Sequence, residues 1–228
     1  MPQGLGVQLG LGGGRSATAS GSPASSFSNI RAIDLDGTAD HLEISASSSL
    51  NIAGSLSISF WFKRGRGGHS AFEGLVNKNS GSGSVNYSVG FRSSGDTFAN
   101  KLAFWAGGDG ENLPTDTAFT NTTNWYHGVI VLDGTAWKWY INGTADGNGT
   151  DIAVTSSADD LVLGCYDASA PGYFFDGLLD EVAIFDSVLS ASDAAAIYNS
   201  GTPASIASFS PVGWWRMGDD NFCLFNDR

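Results

Sequence analysis

Apolar and polar residues alternate in short runs over most of the chain. In the run LSISFWFKR (56–64), apolar side chains recur at Leu56, Ile58, Phe60 and Phe62, which places them on one face of an extended segment. Residues typical of turns (Gly, Asn, Asp and Ser) separate this run from its neighbours. Eleven such runs are predicted to form strands: IRAIDLD (30–36), HLEIS (41–45), LSISFWFKR (56–64), EGLVNKN (73–79), VNYSVGFRS (85–93), KLAFWAG (101–107), WYHGVIVLDG (125–134), WKWYING (137–143), DLVLGCYD (160–167), FFDGLLDEVAIFD (174–186) and VGWWRM (212–217).

Local signals also predict a hairpin and a single helix. The pair Asp133-Gly134 lies between two aromatic-rich runs, where a tight hairpin needs residues that adopt positive φ. The segment SASDAAAIYNSG (190–201) has a capping serine at Ser190 and an acid three positions later, and Gly201 is expected to end it. Many short strands and one brief helix predict an all-β protein, a two-sheet antiparallel sandwich with one short helix.

The chain divides into an arm, a domain and a tail. Residues 1–29 form a Gly/Ser-rich N-terminal arm, 30–217 the β-sandwich and 218–228 a C-terminal tail. Gly-rich composition is typical of a flexible linker, yet four apolar residues in the arm alternate at period two and could add a strand to a neighbouring subunit. These candidate assembly residues are Leu5, Val7, Leu9 and Leu11. We expect an extended arm that becomes ordered in an assembly.

Composition and charge narrow the classes of function. The 228 residues carry a net charge of −12, and 15% are charged, against about a quarter in an ordinary soluble domain. A negative field repels phosphate backbones, so nucleic acid is not an expected partner. The same charge suits Ca²⁺ binding through oxygen ligands, although it also serves solubility.

The compartment is predicted from what the chain lacks. No run approaches 18 consecutive apolar residues, so we expect no membrane insertion, and the opening residues lack the features of a secretory signal peptide. Two cysteines, Cys165 and Cys223, are too few for a disulfide scaffold. A protein carried on the surface of a virus particle and released by lysis would satisfy these observations, with an extracellular location as the alternative.

Several motifs, in order, carry a family resemblance. The segments AIDLDGTADHLEIS (32–45), SLSISFWFKR (55–64), NWYHGVIVLDGTAWKWYINGT (124–144) and FDGLLDEVAIFDSVLSASDAAAIYNSG (175–201) resemble laminin-G-like domains of the concanavalin A-like lectin/glucanase superfamily. The resemblance implies a jelly roll of two antiparallel sheets with binding loops at one end. Leu35 and His41 depart from the aromatic residues that are common at these positions in the family.

The resemblance also implies a calcium site. Laminin-G-like relatives often hold Ca²⁺ near the turn that corresponds to DGTAD (36–40), with the aspartate of the later Asp-Glu pair approaching it. Asp36, Asp40 and Asp180 are therefore the candidate ligands, and a structural Ca²⁺ the candidate cofactor. The alternative is that Asp36 and Asp40 cap the backbone of their own turn, while Asp180 hydrogen-bonds a neighbouring strand. A second acidic segment, DGNGTD (146–151), is expected to be a hairpin loop.

The pair Asp180 and Glu181 does not predict catalysis. Adjacent residues in a strand point to opposite faces, whereas a retaining glycosidase needs two carboxyl groups about 5–5.5 Å apart across its substrate. Glucanases of the superfamily carry their acids at alternate positions of one strand as Glu-x-Asp-x-Glu, and the chain contains no such spacing. No catalytic residue is predicted.

Exposed aromatic side chains are the candidate ligand-binding residues. Most tryptophans in strands belong to the core, but Trp105 precedes a Gly-rich stretch and Tyr173 lies in the loop ASAPGYFFDG (168–177). Trp105 and Tyr173 are therefore the pair expected to offer a platform to a glycan.

The leading interpretation is a non-enzymatic virion structural protein. It would be a bacteriophage capsid decoration or fibre protein, since the Gly-rich start followed by AIDLDGTADHLEI resembles phage structural proteins. Such a protein would stabilise the particle or adhere to surface glycans. Its expected partners are other virion proteins or copies of itself, bound through the arm, and cell-surface glycan. The alternatives are a soluble bacterial glycan-binding adhesin and, more weakly supported, a glycan-cleaving enzyme.

Overall fold

The computed structural model describes residues 27–79, 85–107, 113–150 and 152–219, which form two antiparallel sheets. The strand order of the first sheet is β1 (Ile33–Asp36), β12 (Asp176–Phe185), β3 (Leu56–Arg64), β8 (Tyr126–Asp133), β9 (Ala136–Ile141) and β10 (Thr144–Gly149), with β13 (Gly213–Trp215) also paired to β12. The order of the second sheet is β2 (Leu42–Ile44), β11 (Leu161–Leu163), β4 (Glu73–Asn79), β5 (Val85–Phe91), β6 (Lys101–Trp105) and β7 (Leu113–Ala118). The predicted all-β sandwich is confirmed.

The main core lies between the two sheets. The alternating residues of β3, among them Phe60 and Phe62, point inward and are completely buried. Tyr87 and Phe91 of β5 meet them from the second sheet, and the Phe62 and Phe91 rings lie 5.4 Å apart in an edge-to-face arrangement, a geometry that aromatic pairs favour. Because inward-facing side chains alternate along β3 and β5, the residues between them lie on the outer sides of the two sheets.

A second, smaller core covers part of the outer face of the first sheet. Helix α1 (Ala191–Tyr198) packs Ala194 and Ile197 against Val129 and Phe185 of the strands below. Its predicted cap is confirmed, since the Ser190 hydroxyl accepts from the Asp193 N–H. The helix ends at Asn199, which is left-handed with φ 45°, two residues earlier than predicted from Gly201.

Two strands were missed by the hydrophobic pattern. Residues 146–151 were predicted to be a hairpin loop, but Thr144–Gly149 form β10, which pairs with β9 through the turn at Asn142-Gly143. Strand β7 contains Pro114 and lies at the edge of the second sheet, where proline is tolerated. Both strands are held by pairing rather than by apolar alternation. The predicted hairpin at Asp133-Gly134 is confirmed between β8 and β9.

The described chain starts inside the packed structure. The Phe27 ring stacks on Trp214 with 6.2 Å between centroids, and the Arg216 guanidinium lies 4.1 Å from the centre of the Phe27 ring. The structure therefore places residues 27–29, assigned to the arm by composition, against the sandwich. The candidate assembly residues of the arm, Leu5, Val7, Leu9 and Leu11, lie outside the described residues, as do Cys223 and most of the tail. No helix in the described part of the chain has the length and apolar character needed to cross a membrane.

Candidate functional site

An aromatic cluster lies on the outer face of the second sheet. Because Tyr87, Val89 and Phe91 of β5 point into the core, Ser88 and Gly90 between them face outward. Trp105 at the end of β6 is the pairing partner of Ser88, so its indole is on the same outward face.

Phe72 is the centre of this cluster. Its ring centroid lies 4.8 Å from that of Trp105, 5.3 Å from Tyr166 and 6.2 Å from Tyr173, each with the rings steeply inclined. The side chain of Tyr173 is 56% exposed, and the other three are half-buried. Phe72, Trp105, Tyr166 and Tyr173, here called the aromatic cluster, form a continuous surface that is partly open to solvent.

Glycine at position 90 permits this arrangement. A Cβ on Gly90 would lie 2.1 Å from Cζ of Phe72 and 2.4 Å from the Glu73 carbonyl oxygen. The Phe72 ring thus rests directly on the backbone of β5, which fixes the height of the cluster above the sheet.

Buried amide side chains secure the loop that carries Tyr166. Asn77 donates to the Cys165 carbonyl at 2.7 Å and Asn79 to the Tyr166 carbonyl at 2.6 Å, and both are at most 1% exposed. The Ser88 hydroxyl donates to the Asn77 amide oxygen. Satisfied buried hydrogen bonds of this kind hold a backbone segment in one position, so the cluster is preorganised on this side.

Backbone contacts and an ion pair secure Tyr173. Its backbone is left-handed with φ 54°, and its carbonyl accepts from the Gly74 N–H at 2.8 Å. The next carbonyl, of Phe174, accepts from Arg66, whose Nε is 2.8 Å from a Glu73 oxygen. The exposed ring of Tyr173 therefore extends from a fixed backbone.

The structure brings together both aromatic residues predicted from the sequence. Trp105 and Tyr173 are separated in the chain but contact the same ring of Phe72. Phe72 and Tyr166 were missed. Tyr166 lies within the predicted strand DLVLGCYD (160–167) and gave no sign of facing outward. The role of Phe72 depends on Gly90, a neighbour that no local pattern identifies.

An acidic cluster lies on the outer face of the first sheet. Asp180, Glu181 and Asp219 each place a carboxylate oxygen within 4.8 Å of the other two. The expectation that Asp180 and Glu181 point to opposite faces was wrong. Strand β12 contains a bulge between Asp180 and Ala183, and Glu181 is left-handed with φ 47°, so the extra residue turns its side chain to the same side.

Most of the polar contacts of the acidic cluster come from the two ends of the described chain. Asn29 donates to Asp180 at 2.9 Å and to Glu181 at 2.8 Å. Trp214 donates to Glu181 at 2.5 Å, and the Arg216 guanidinium lies 3.1 Å from the same carboxylate. The cluster thus links the first and last described segments of the chain to β12.

Burial dominates the electrostatics of this cluster. The pKa of Asp180 is raised to about 7, mainly by loss of solvent; the hydrogen bond from Asn29 opposes the rise and the Glu181 charge adds to it. Burial also raises the pKa of Glu181, against its hydrogen bonds with Asn29 and Arg216. Both shifts show that burial disfavours the charged form of these two carboxyl groups.

The donor set of the acidic cluster fits a hard cation. Three carboxylates face one guanidinium, that of Arg216, so negative charge remains in excess among the described side chains. Ca²⁺ takes roughly six to eight oxygen ligands in flexible geometry, and Asp180, Glu181 and Asp219 could supply several of them.

The structure places Asp36 and Asp40 away from Asp180, too far for one ion to bind all three. Asp36 is paired with Asp176, four residues before Asp180 along β12, which is about 13 Å at the rise of a strand. The Asp36 carboxylate instead accepts from the Thr38 hydroxyl and from the backbone N–H groups of residues 38–40. These bonds, led by that of Thr38, hold the pKa of Asp36 well below its usual value, as expected of a turn cap.

Comparisons with known proteins agree on the fold. A family model described as the concanavalin A-like lectin/glucanases superfamily matches residues 36–195. No relative was found among curated protein sequences.

Three solved structures illustrate the structural likeness. Domain 4 of AbnA, a GH43 extracellular arabinanase from Geobacillus stearothermophilus in complex with arabinotriose, has a TM-score of 0.58 at 22% identity, covering 73% of this chain and 76% of that one. A putative carbohydrate binding protein from Bacteroides ovatus has a TM-score of 0.62 at 14% identity, covering 83% and 53%. The CBM40 of the Ruminococcus gnavus IT-sialidase, bound to α2,3 sialyllactose, has a TM-score of 0.51 at 13% identity, covering 70% and 97%. At these identities the likeness establishes the fold.

Proposed function

The chain belongs to the concanavalin A-like lectin/glucanases superfamily, and from that premise we propose that it is a non-catalytic module that binds carbohydrate through its aromatic cluster. The observation that carries this proposal is the convergence of Trp105, Tyr166 and Tyr173 on Phe72. A sugar ring presents an apolar C–H face, which an aromatic surface can cover, and hydroxyl groups at its edge, which need polar partners.

Fixed backbone and partial exposure support this use of the cluster. A platform held in place before the ligand arrives loses little conformational entropy on binding. The structural neighbours from Geobacillus stearothermophilus and Ruminococcus gnavus were solved with arabinotriose and α2,3 sialyllactose, so oligosaccharides are the natural first probes for this chain.

The acidic pair argues against hydrolysis of the bound glycan. Asp180 and Glu181 lie close together, but one Asn29 amide bridges them, and both residues are less than 5% exposed. A retaining glycosidase needs its two carboxyl groups on either side of the scissile bond, whereas here both carboxylates turn to one side and accept from the same Asn29 amide. The proposal is therefore binding without cleavage.

Replacing Trp105 or Tyr173 with alanine should weaken oligosaccharide binding by about tenfold or more. Each change removes an aromatic face, and about 1.4 kcal/mol of lost contact corresponds to a tenfold change in Kd. Calorimetric titration with arabinotriose, α2,3 sialyllactose and the best ligands from a glycan array would measure the effect. Val188→Ala is the matched control, because Val188 is also exposed, at 43%, but lies outside the cluster. Unchanged affinity in both aromatic variants would contradict the proposal.

We also propose a structural Ca²⁺ at the acidic cluster, with Asp180, Glu181 and Asp219 as its side-chain ligands. Bound Ca²⁺ would supply the positive charge that these buried carboxylates lack. Saturating Ca²⁺ should then stabilise the fold, by about 2.7 kcal/mol at a hundredfold excess over Kd.

Thermal unfolding with Ca²⁺ and with a chelator measures this gain. Asp180→Asn should abolish the difference between the two conditions, while Asp36→Asn should keep it. The reverse pattern would locate the ion at the DGTAD turn, as first predicted from the family resemblance.

A position on the surface of a virus particle is the proposed setting, with assembly through the arm. Light scattering should give a larger mass for the full chain than for a chain that begins at Ser25, which removes Leu5, Val7, Leu9 and Leu11. The shortened chain retains Phe27 and its stacking on Trp214, so we expect it to keep the fold. Equal monomer masses for both chains would contradict assembly through the arm and favour a soluble adhesin.

A further inference from the structure

A pocket of about 470 Å³ opens on the outer face of the first sheet, the opposite side of the sandwich from the aromatic cluster. Because Phe60 and Phe62 of β3 point into the core, Trp61 between them faces outward, and its pairing partner Asp180 faces the same way. The volume lies within the range of small-molecule sites.

The floor of this pocket is rigid. The Trp61 indole stacks on the Tyr198 ring of α1 with 5.7 Å between centroids and lies 5.0 Å from the ring of His127. Trp61 is only 5% exposed and His127 is completely buried. The two neighbours fix the orientation of the indole, so the edge that lines the pocket is preformed.

The rim is apolar and exposed. Four large apolar side chains are exposed in the described part of the chain, and two of them, Ile30 at 80% and Trp125 at 37%, line this pocket. Single exposed apolar residues need no explanation, but two that converge on one concavity mark a candidate binding surface. The exposed ring of Trp125 is available to contact a bound ligand.

The wall supplies polar partners. Asp180, Asn29 and Arg31 line the pocket beside the indoles. The Asp180 carboxylate accepts from Asn29 and from the Glu181 N–H, and two bonds leave part of its capacity of about four lone-pair sites available. Arg31 is exposed at the mouth and can donate.

We infer that this pocket is a second carbohydrate site, which takes one pyranose unit and acts independently of the aromatic cluster. The sugar lies with its C–H face on Trp125, one of its hydroxyl groups donates a hydrogen bond to the Asp180 carboxylate, and another of its oxygens accepts one from Arg31. An amphipathic ring matches this lining better than a wholly apolar ligand would, because the wall offers a carboxylate with unused acceptor capacity and an exposed guanidinium beside the indoles. The inference rests on the proposed function only in assuming that the chain binds glycans.

Two sites on opposite faces would make a single module bivalent. The face-to-face sheets are about 10 Å apart, so the two sites point away from each other and one glycan chain could not readily occupy both. The module would instead bridge two chains, which raises avidity for a glycan-covered surface without any change in either site.

The test compares four proteins by saturation-transfer NMR and titration: the full chain, Trp125→Ala, Tyr173→Ala and the double variant. The probes are the methyl glycosides of glucose, galactose, mannose and N-acetylglucosamine. We expect Trp125→Ala to weaken by about tenfold the binding of at least one probe that Tyr173→Ala leaves unchanged, and the double variant to lose all binding. Arg31→Ala, which removes an exposed side chain, should weaken the same probe, and Val188→Ala should not.

Distinct outcomes separate this inference from the proposed function. If Trp125→Ala and Arg31→Ala bind every probe as the full chain does, or if no probe binds the full chain, the second site is overturned. If only the pocket variants lose binding and Tyr173→Ala retains all of it, the pocket is supported and the aromatic cluster is overturned as the glycan platform.

Discussion

The Glu73→Gln variant should unfold with about 3–5 kcal/mol less free energy than the original chain. Glu73 is 1% exposed and forms ion pairs with both Arg64 and Arg66. Arg64 is itself completely buried at one end of the main core, where its guanidinium lies 4.3 Å from the centre of the Phe91 ring and donates to the Phe119 carbonyl at 2.6 Å. Glutamine keeps the size of the side chain but removes the direct ion-pair partner of the buried Arg64, and breaking a buried pair on one side is strongly destabilising.

Urea unfolding of Glu73→Gln beside Asp96→Asn measures this difference. Asp96 pairs with Arg92 near the surface, where one ion pair contributes about 0.2–1 kcal/mol. Because Arg66 also donates to the Phe174 carbonyl, Glu73→Gln should loosen Tyr173 and weaken oligosaccharide binding as well. Similar losses of stability in the two variants would show that the buried network contributes no more than a surface pair.

The Gly90→Ala variant should lose oligosaccharide binding at the aromatic cluster and unfold with a few kcal/mol less free energy. The added Cβ would overlap the Phe72 ring at 2.1 Å and the Glu73 carbonyl oxygen at 2.4 Å. The Phe72 ring would have to move away from β5, so its contacts with Trp105 and Tyr166 would be lost. The backbone contact cannot relax without disturbing the pairing of β4 with β5.

Gly95→Ala is the matched control, because a Cβ at Gly95 would meet no atom within 4 Å. We expect this variant to bind and unfold like the original chain, within about 0.5 kcal/mol. Titration calorimetry and urea unfolding of both variants give the two readouts. A Gly90→Ala protein that binds oligosaccharides normally would show that Phe72 does not set the geometry of the site.

The elements that the sequence predicted correctly are those whose signal is local. Strand β3 carries an apolar residue at every second position from Leu56 to Phe62, and α1 begins at a capping box that involves only Ser190 and Asp193. Strand β10, TADGNG, has neither apolar alternation nor a high strand propensity, and β7 contains a proline. These two strands form because an edge was available for pairing, which is a property of the assembled sheet.

The candidate sites divide in the same way. Trp105 and Tyr173 were predictable from aromatic residues beside Gly-rich loops, but their meeting at Phe72 depends on strand order and on Gly90. Asp180 and Glu181 were noticed as a pair, yet regular strand geometry placed them on opposite faces. The bulge at Glu181 places both side chains on the same face. The sequence gives no local signal for this bulge.

The sequence by itself determined the all-β class, the two-sheet sandwich, the capped helix and the family, because these follow from periodicity, turn residues and motif order along the chain. Only the tertiary structure decided which side chains share a surface: the aromatic cluster on one face, and the acidic cluster and pocket on the other. The physical reason is that strands distant in sequence become neighbours through hydrogen-bonded register, and a shift of one residue reverses the face on which every side chain lies.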